Sequence, residues 1–105
     1  MLIRGGENIY CIEVENVMFE HPAVMDAALV GIPHRLLGEE PGAVVQLKPG
    51  ANATEEELRA WVASRLAAFK VPARVLLWRD TLPRNPAGKI LKNELKGAFN
   101  SLTHL

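Results

Sequence analysis

The run Leu82-Pro83-Arg84-Asn85-Pro86-Ala87-Gly88-Lys89-Ile90-Leu91 holds the residue types best suited to chemistry, because it mounts one lysine on a stiff support. Pro83 and Pro86 each lock a φ angle, and Gly88 offers the dihedral range closed to residues with a side chain, so Lys89 rides on a pre-shaped turn. Its compact ammonium suits it to neutralise a carboxylate or phosphate oxygen as a point charge, where an arginine fork would demand a planar partner. The plain alternative is a surface turn before a helix, with a solvated lysine. The decapeptide alone does not separate the two.

A second punctuated segment, Ile3-Arg4-Gly5-Gly6-Glu7-Asn8-Ile9-Tyr10, precedes a helical pattern. Adjacent glycines permit a tight turn and let another molecule approach the backbone closely, with N–H groups turned toward it. The lesser reading is a turn that only leads into the helix. Cys11 has no local His partner and reads as a small buried apolar residue. His21, His34 and His104 show no metal-ligand spacing, so no metal site is expected in this chain.

At 105 residues the chain is one domain, able to bury roughly 60–65% of its unfolded-chain surface and to fold without staples. Twelve basic and twelve acidic residues cancel, which removes the electrostatic footprint of a nucleic-acid binder. A single cysteine allows no internal disulfide. With no charged-then-apolar leader and no apolar run near the roughly 18 residues that span a bilayer, the expected setting is soluble, reducing and cytoplasmic.

The elements that must position these loops follow from periodicity. Val14, Val17 and Met18 recur at helical spacing and Pro22 ends the run, which predicts a helix over about 12–20. Val24 to Ile32 and Ala43 to Leu47 are strand-like, with Pro33 to Pro41 read as a functional loop rather than a tight hairpin turn. Lys48-Pro49-Gly50 reads as a turn. Thr54 caps a helix, with Glu57 reaching back and Leu58, Trp61, Val62 and Leu66 as its core stripe. Arg74 to Asp80 alternates as a strand that is apolar on both faces, and is therefore expected inside its sheet. Leu91, Leu95, Ala98 and Phe99 mark a last helix. The order predicts an α+β fold: a small two-layer domain with a mostly antiparallel three-stranded sheet, about three helices packed on it, and short strands at the termini and loops.

The two loops, in this order, together with Glu13-Val14-Glu15, His21-Pro22-Ala23-Val24, Gly31-Ile32-Pro33, Gly38-Glu39-Glu40, Phe69-Lys70-Val71-Pro72 and Leu82-Pro83-Arg84, resemble the small C-terminal domain of the adenylate-forming enzymes. The similarity is greatest to the acyl-CoA synthetases, the fatty-acid and aryl-acid CoA ligases, and covers almost the whole chain. His34 departs from the pattern, which usually has Asp after Gly-x-Pro.

The resemblance implies that residues 1–105 are the C-terminal lid of an acid-thiol ligase whose N-terminal adenylation domain, in the same polypeptide, is missing here. Such a lid is inactive alone, and the acid substrate is set by the missing domain. In the family, ATP and a carboxylic acid give an acyl-adenylate and pyrophosphate, and CoA then displaces AMP to give a thioester. Mg2+ comes with ATP, both bound mainly by the absent domain. Lys89 is implied to be the catalytic cation of the first step, on a loop shaped by Pro83, Pro86 and Gly88. A large rotation is implied to bring Gly5 and Gly6 against the pantetheine arm for the second, with Glu7 and Asn8 beside it. Arg4, Arg35, Lys70 and Arg74 are candidates for the CoA phosphates, Arg74 foremost. Two other readings stand: a lid that loads a carrier protein or completes an oxidation, and a stand-alone α+β interaction module in which Lys89 is incidental.

Overall fold

The computed structural model of the chain describes the backbone of residues 2–78 and 81–103, and side chains as far as residue 99. Two short strands, β1 (Leu2–Arg4) and β2 (Glu7–Ile9), precede α1 (Cys11–Phe19), the long strands β3 (Val24–His34) and β4 (Gly38–Leu47), α2 (Glu55–Ala63), β5 (Arg74–Trp78) and α3 (Lys92–Thr103). This is the α+β class and the element order expected, the short strands at the N-terminus taking the form of the β1–β2 hairpin.

The sheet is built around β4. Antiparallel β3 runs along one edge from Val24↔Leu47 to His34↔Gly38. The other edge is shared: β5 pairs in parallel from Gly42↔Arg74 to Gln46↔Trp78, and β1 touches at Arg4↔Gly38. Strand alternation then divides the core in two. Ala27, Leu29 and Val45 face α1 and α2, meeting Val14, Met18, Leu58 and Val62. Ala28, Val30, Ile32 and Val44 face the other way, against Leu95 and Phe99 of α3. The helices therefore lie on both faces of the sheet rather than in a single layer. The reason is in β3 itself, where six consecutive residues from Ala27 to Ile32 are buried, a run that only a sheet covered on both sides can accommodate.

Two expectations need correction. The segment Pro33 to Pro41 is not a long loop: both strands continue through it, and only Arg35, Leu36 and Leu37 form the turn. Gly38, at φ 84°, makes that tight return possible. β5 is not interior, since among the described residues it pairs with β4 alone. Its apolar character on both faces reflects the two helical layers, with Val75 in one core and Leu76 and Trp78 against the other. The strand end expected at Arg79–Asp80, and His104, lie outside the described residues.

Candidate functional site

The lysine loop is a closed minihairpin. Arg84 and Ile90 bridge its base, and the Asn85 N–H donates to the Lys89 carbonyl at 2.9 Å. The Asn85 carboxamide oxygen accepts from the Ala87 and Lys89 N–H groups at 3.0 and 2.9 Å, a side chain imitating a turn. Gly88, at φ 86°, closes the tip, and its N–H donates to the Asn85 carbonyl. At the base, the Leu91 N–H donates to the Pro83 carbonyl at 2.9 Å. Lys89 is exposed and belongs to no ion pair among the described residues. Its ammonium is thus carried on a rigid mount, and no described residue pairs with it.

Beside it lies a cleft of about 510 Å³ lined by Glu15, Phe19, Asp26, Arg84, Lys89 and Lys92, among others. Arg84 donates to the carboxylate of Asp26 on β3. Glu15 of α1 accepts from the Leu29 N–H at 2.7 Å and from the Lys92 ammonium at 3.0 Å. Sequence reasoning gave no role to Asp26, Glu15, Asn85 or Lys92. The signal was available for Asp26, a charge inside an otherwise apolar strand, and for Asn85, because an Asn in a Pro/Gly-rich turn bonds the backbone N–H two residues on.

The glycine segment is a two-residue hairpin turn. Arg4 pairs with Glu7 across it, and Gly5 and Gly6 have φ 56° and 87°, the double left-handed geometry of a type I′ turn. The Gly5 N–H donates to the Leu37 carbonyl at 2.9 Å, which docks this turn on the β3–β4 turn. A side chain at Gly5 would meet Leu37 at 3.0 Å, whereas Gly6 faces open space with nothing within 4 Å. Glu7 and Asn8 are exposed next to it.

The neighbouring β3–β4 turn is closed by His34, whose Nδ1 accepts from the Leu36 and Leu37 N–H groups at 3.1 and 3.0 Å. An imidazole thus supplies the acceptor that an aspartate carboxylate would. A groove of about 580 Å³ runs beside Pro33, His34, Arg35 and Leu36.

Of the four candidate cations, chain position brings Arg4 and Arg35 to this glycine end. Lys70 is engaged by Glu13 at 2.6 Å. Arg74 donates through Nε to Glu55 at 2.9 Å, while the same Glu55 oxygen accepts the Val75 N–H at 2.6 Å. Burial works against ionisation of Glu55. The Val75 and Arg74 hydrogen bonds and the charges of Arg74 and Arg59 outweigh it and hold the carboxyl below its ordinary value of 4.5. The terminal guanidinium nitrogens of Arg74 make no bond among the described residues. Cys11 is half-buried against the α1–α2 core.

The two loops stand at opposite ends of the sheet. The lysine hairpin is anchored at Asp26, near the start of β3, and the glycine turn at Leu37, just past its end. Eight residue steps of extended strand from Asp26 to His34 separate the anchors by about 25 Å.

Residues 13–89 match the family model described as the AMP-binding enzyme C-terminal domain. The chain is 48% identical over 96 residues to the 2-succinylbenzoate–CoA ligase of Geobacillus kaustophilus, covering 91% of this chain and 19% of that enzyme. It is 42% identical over 98 residues to the fatty acid–[acyl-carrier-protein] ligase ScoC of Streptomyces coeruleorubidus, covering 93% and 19%. The crystal structure of ATP-bound MatB from Rhodopseudomonas palustris superposes with a TM-score of 0.89 at 35% identity, over 97% of this chain and 20% of that one. The chain spans about a fifth of the length of these relatives. On its sequence, its fold and the extent of the match, the chain belongs to the AMP-binding enzyme C-terminal domain family.

Proposed function

We propose that this domain is the moving lid of an ATP-dependent, AMP-forming acyl-CoA synthetase, working against an N-terminal adenylation domain of the same polypeptide. The observation that carries the reading is the separation of the two loops. One end of the sheet offers an exposed lysine on a rigid hairpin, in no ion pair among the described residues, and the other offers a glycine turn with open space beside it. A carboxylate attacking a phosphorus must sit within about 3–3.5 Å of it, so a cation serving that step has to be delivered to one point. Lys89 would hold the carboxylate and the nucleotide oxygens in line by charge alone, an electrostatic role with no proton transfer. ATP and Mg2+ would be bound mainly by the N-terminal domain. After rotation of the lid, Gly5 and Gly6 would let the pantetheine arm of CoA pass close to the backbone, flanked by Glu7 and Asn8. Arg74 would offer its terminal nitrogens to the CoA phosphates while Glu55 holds its Nε.

The test is Lys89→Ala in the full-length enzyme. Single-turnover adenylation is expected to slow by on the order of 10²–10³-fold, as when one positioned charge donor is removed. Thioester formation from a supplied acyl-adenylate should persist. An unchanged adenylation rate would leave Lys89 incidental, as in a plain interaction module.

A second reading has one observation in its favour: a carrier-protein ligase is among the relatives at 42% identity. Free CoA and a carrier protein present the same pantetheine thiol, so the glycine turn would serve either. Giving the enzyme each acceptor in turn separates them, and acylation of the carrier without acyl-CoA formation would select the second reading.

A further inference from the structure

We infer that Asp26 is a positioning residue for the Lys89 loop, acting through Arg84; this rests on the role proposed above for Lys89. Asp26 is the one buried charged side chain among the described residues, 8% exposed. It follows directly on the register irregularity between Val24 and Asp26, the kind of local kink that re-aims a side chain. One carboxylate oxygen accepts from the Ala27 N–H at 3.0 Å, and the other takes the Arg84 guanidinium. Arg84 is half of the bridge that closes the lysine hairpin, and its partner Ile90 is the residue next to Lys89.

The hairpin's own bonds, through Asn85, make it stiff but say nothing of where it lies on the sheet. Burial of Leu82 and partial burial of Ile90 hold it by apolar contact, which has little directional preference. The Asp26–Arg84 pair does have direction. A buried carboxylate left without its partner is strongly disfavoured, so both charges are satisfied at one placement of the loop. α3 is tied separately, through Lys92 to Glu15. Loss of Asp26 therefore releases the hairpin as a unit, with its internal turn and the following helix retained.

The experiment uses the full-length enzyme carrying Asp26→Asn. Adenylation is expected to fall by about 10–10²-fold, the scale set by an ångström-sized misplacement of a catalytic group. Thioester formation from a supplied acyl-adenylate is expected to continue. In a Lys89→Ala background, Asp26→Asn should have no further effect on adenylation, since it acts only through that lysine. A full additional loss in that background, or equal loss of both half-reactions, overturns the inference. Limited trypsin digestion read by mass spectrometry gives a measure independent of catalysis: cleavage after Lys89 should accelerate several-fold, and an unchanged rate overturns the anchor. Faster cleavage with unaltered adenylation would overturn the positioning role and leave the Asp26–Arg84 pair a structural contact, while Lys89→Ala tests the lysine separately. Should Asp26→Asn not fold, Arg84→Gln and the double variant Asp26→Asn/Arg84→Gln carry the same tests, the double variant leaving no unpaired buried charge.

Discussion

Gly6 shows how conformation and space impose separate demands on one residue. Its φ of 87° is sterically costly for a side chain, yet a Cβ placed there meets nothing within 4 Å. Within this domain the glycine is thus required by the backbone alone, and the open space beside it is where a second molecule would pass. A bulky change such as Gly6→Leu would confound the two, because strain would disturb the hairpin as well as the path. Gly6→Asn separates them, since asparagine tolerates left-handed φ. The expected outcome is a folded enzyme with adenylation kept and thioester formation reduced at least several-fold, measured as the two half-reactions. Equal loss of both would reduce the glycine pair to turn formation. The stiff mount of Lys89 was legible at this scale because proline and glycine announce a rigid turn. Its supports were not, because the Asp26–Arg84 contact joins residues 58 apart in sequence and no local rule pairs them.

Among the elements, local signals succeeded where the cause is local. The Thr54 hydroxyl does accept the Glu57 N–H at 3.1 Å and starts α2, as a capping residue should. The β3–β4 connection was misread because Pro33 and Pro41 look like strand breakers. β3 is an edge strand, which can hold a proline. Pro41 lies between the β4 residues that pair with β1, at Gly38, and with β5, from Gly42 onward, so its missing N–H falls in a gap between two partners.

The junction between α2 and β5 depends on Glu55, which binds Arg74 and the Val75 N–H with one oxygen. Its carboxyl is held below 4.5, so the folded state favours the ionised form. That contribution is present above the unfolded value and is lost as pH falls through the depressed one. Glu55→Gln should cost under about 1 kcal/mol at neutral pH, because the ion pair is substantially exposed and screened. The stability difference between Glu55→Gln and the parent, followed by thermal unfolding, should close as pH drops below about 4.5. A difference that persists in acid would assign the effect to packing.

At the scale of the whole molecule, the fold holds the lysine hairpin and the glycine turn rigidly apart. β3 and β4 pair continuously from Val24↔Leu47 to His34↔Gly38 apart from the irregularity near Val24, and both faces of the sheet are packed, so the ends cannot approach one another without unfolding. With about 25 Å between the anchors, no single orientation of the domain brings both loops to one reacting centre. Under the proposed function, any bond fixing this domain to an N-terminal adenylation domain should permit one half-reaction and forbid the other. A photo-cross-linking residue at exposed Ala87, activated with ATP and the carboxylic acid present, should trap a form competent for adenylation alone. The same residue at exposed Glu7, activated with CoA present, should trap a form that converts a supplied acyl-adenylate to thioester and makes no new adenylate. Retention of both steps in either trapped form would mean that the two loops do not alternate at a common site, and the rotation would have to be abandoned even if Lys89 and Gly6 each proved essential.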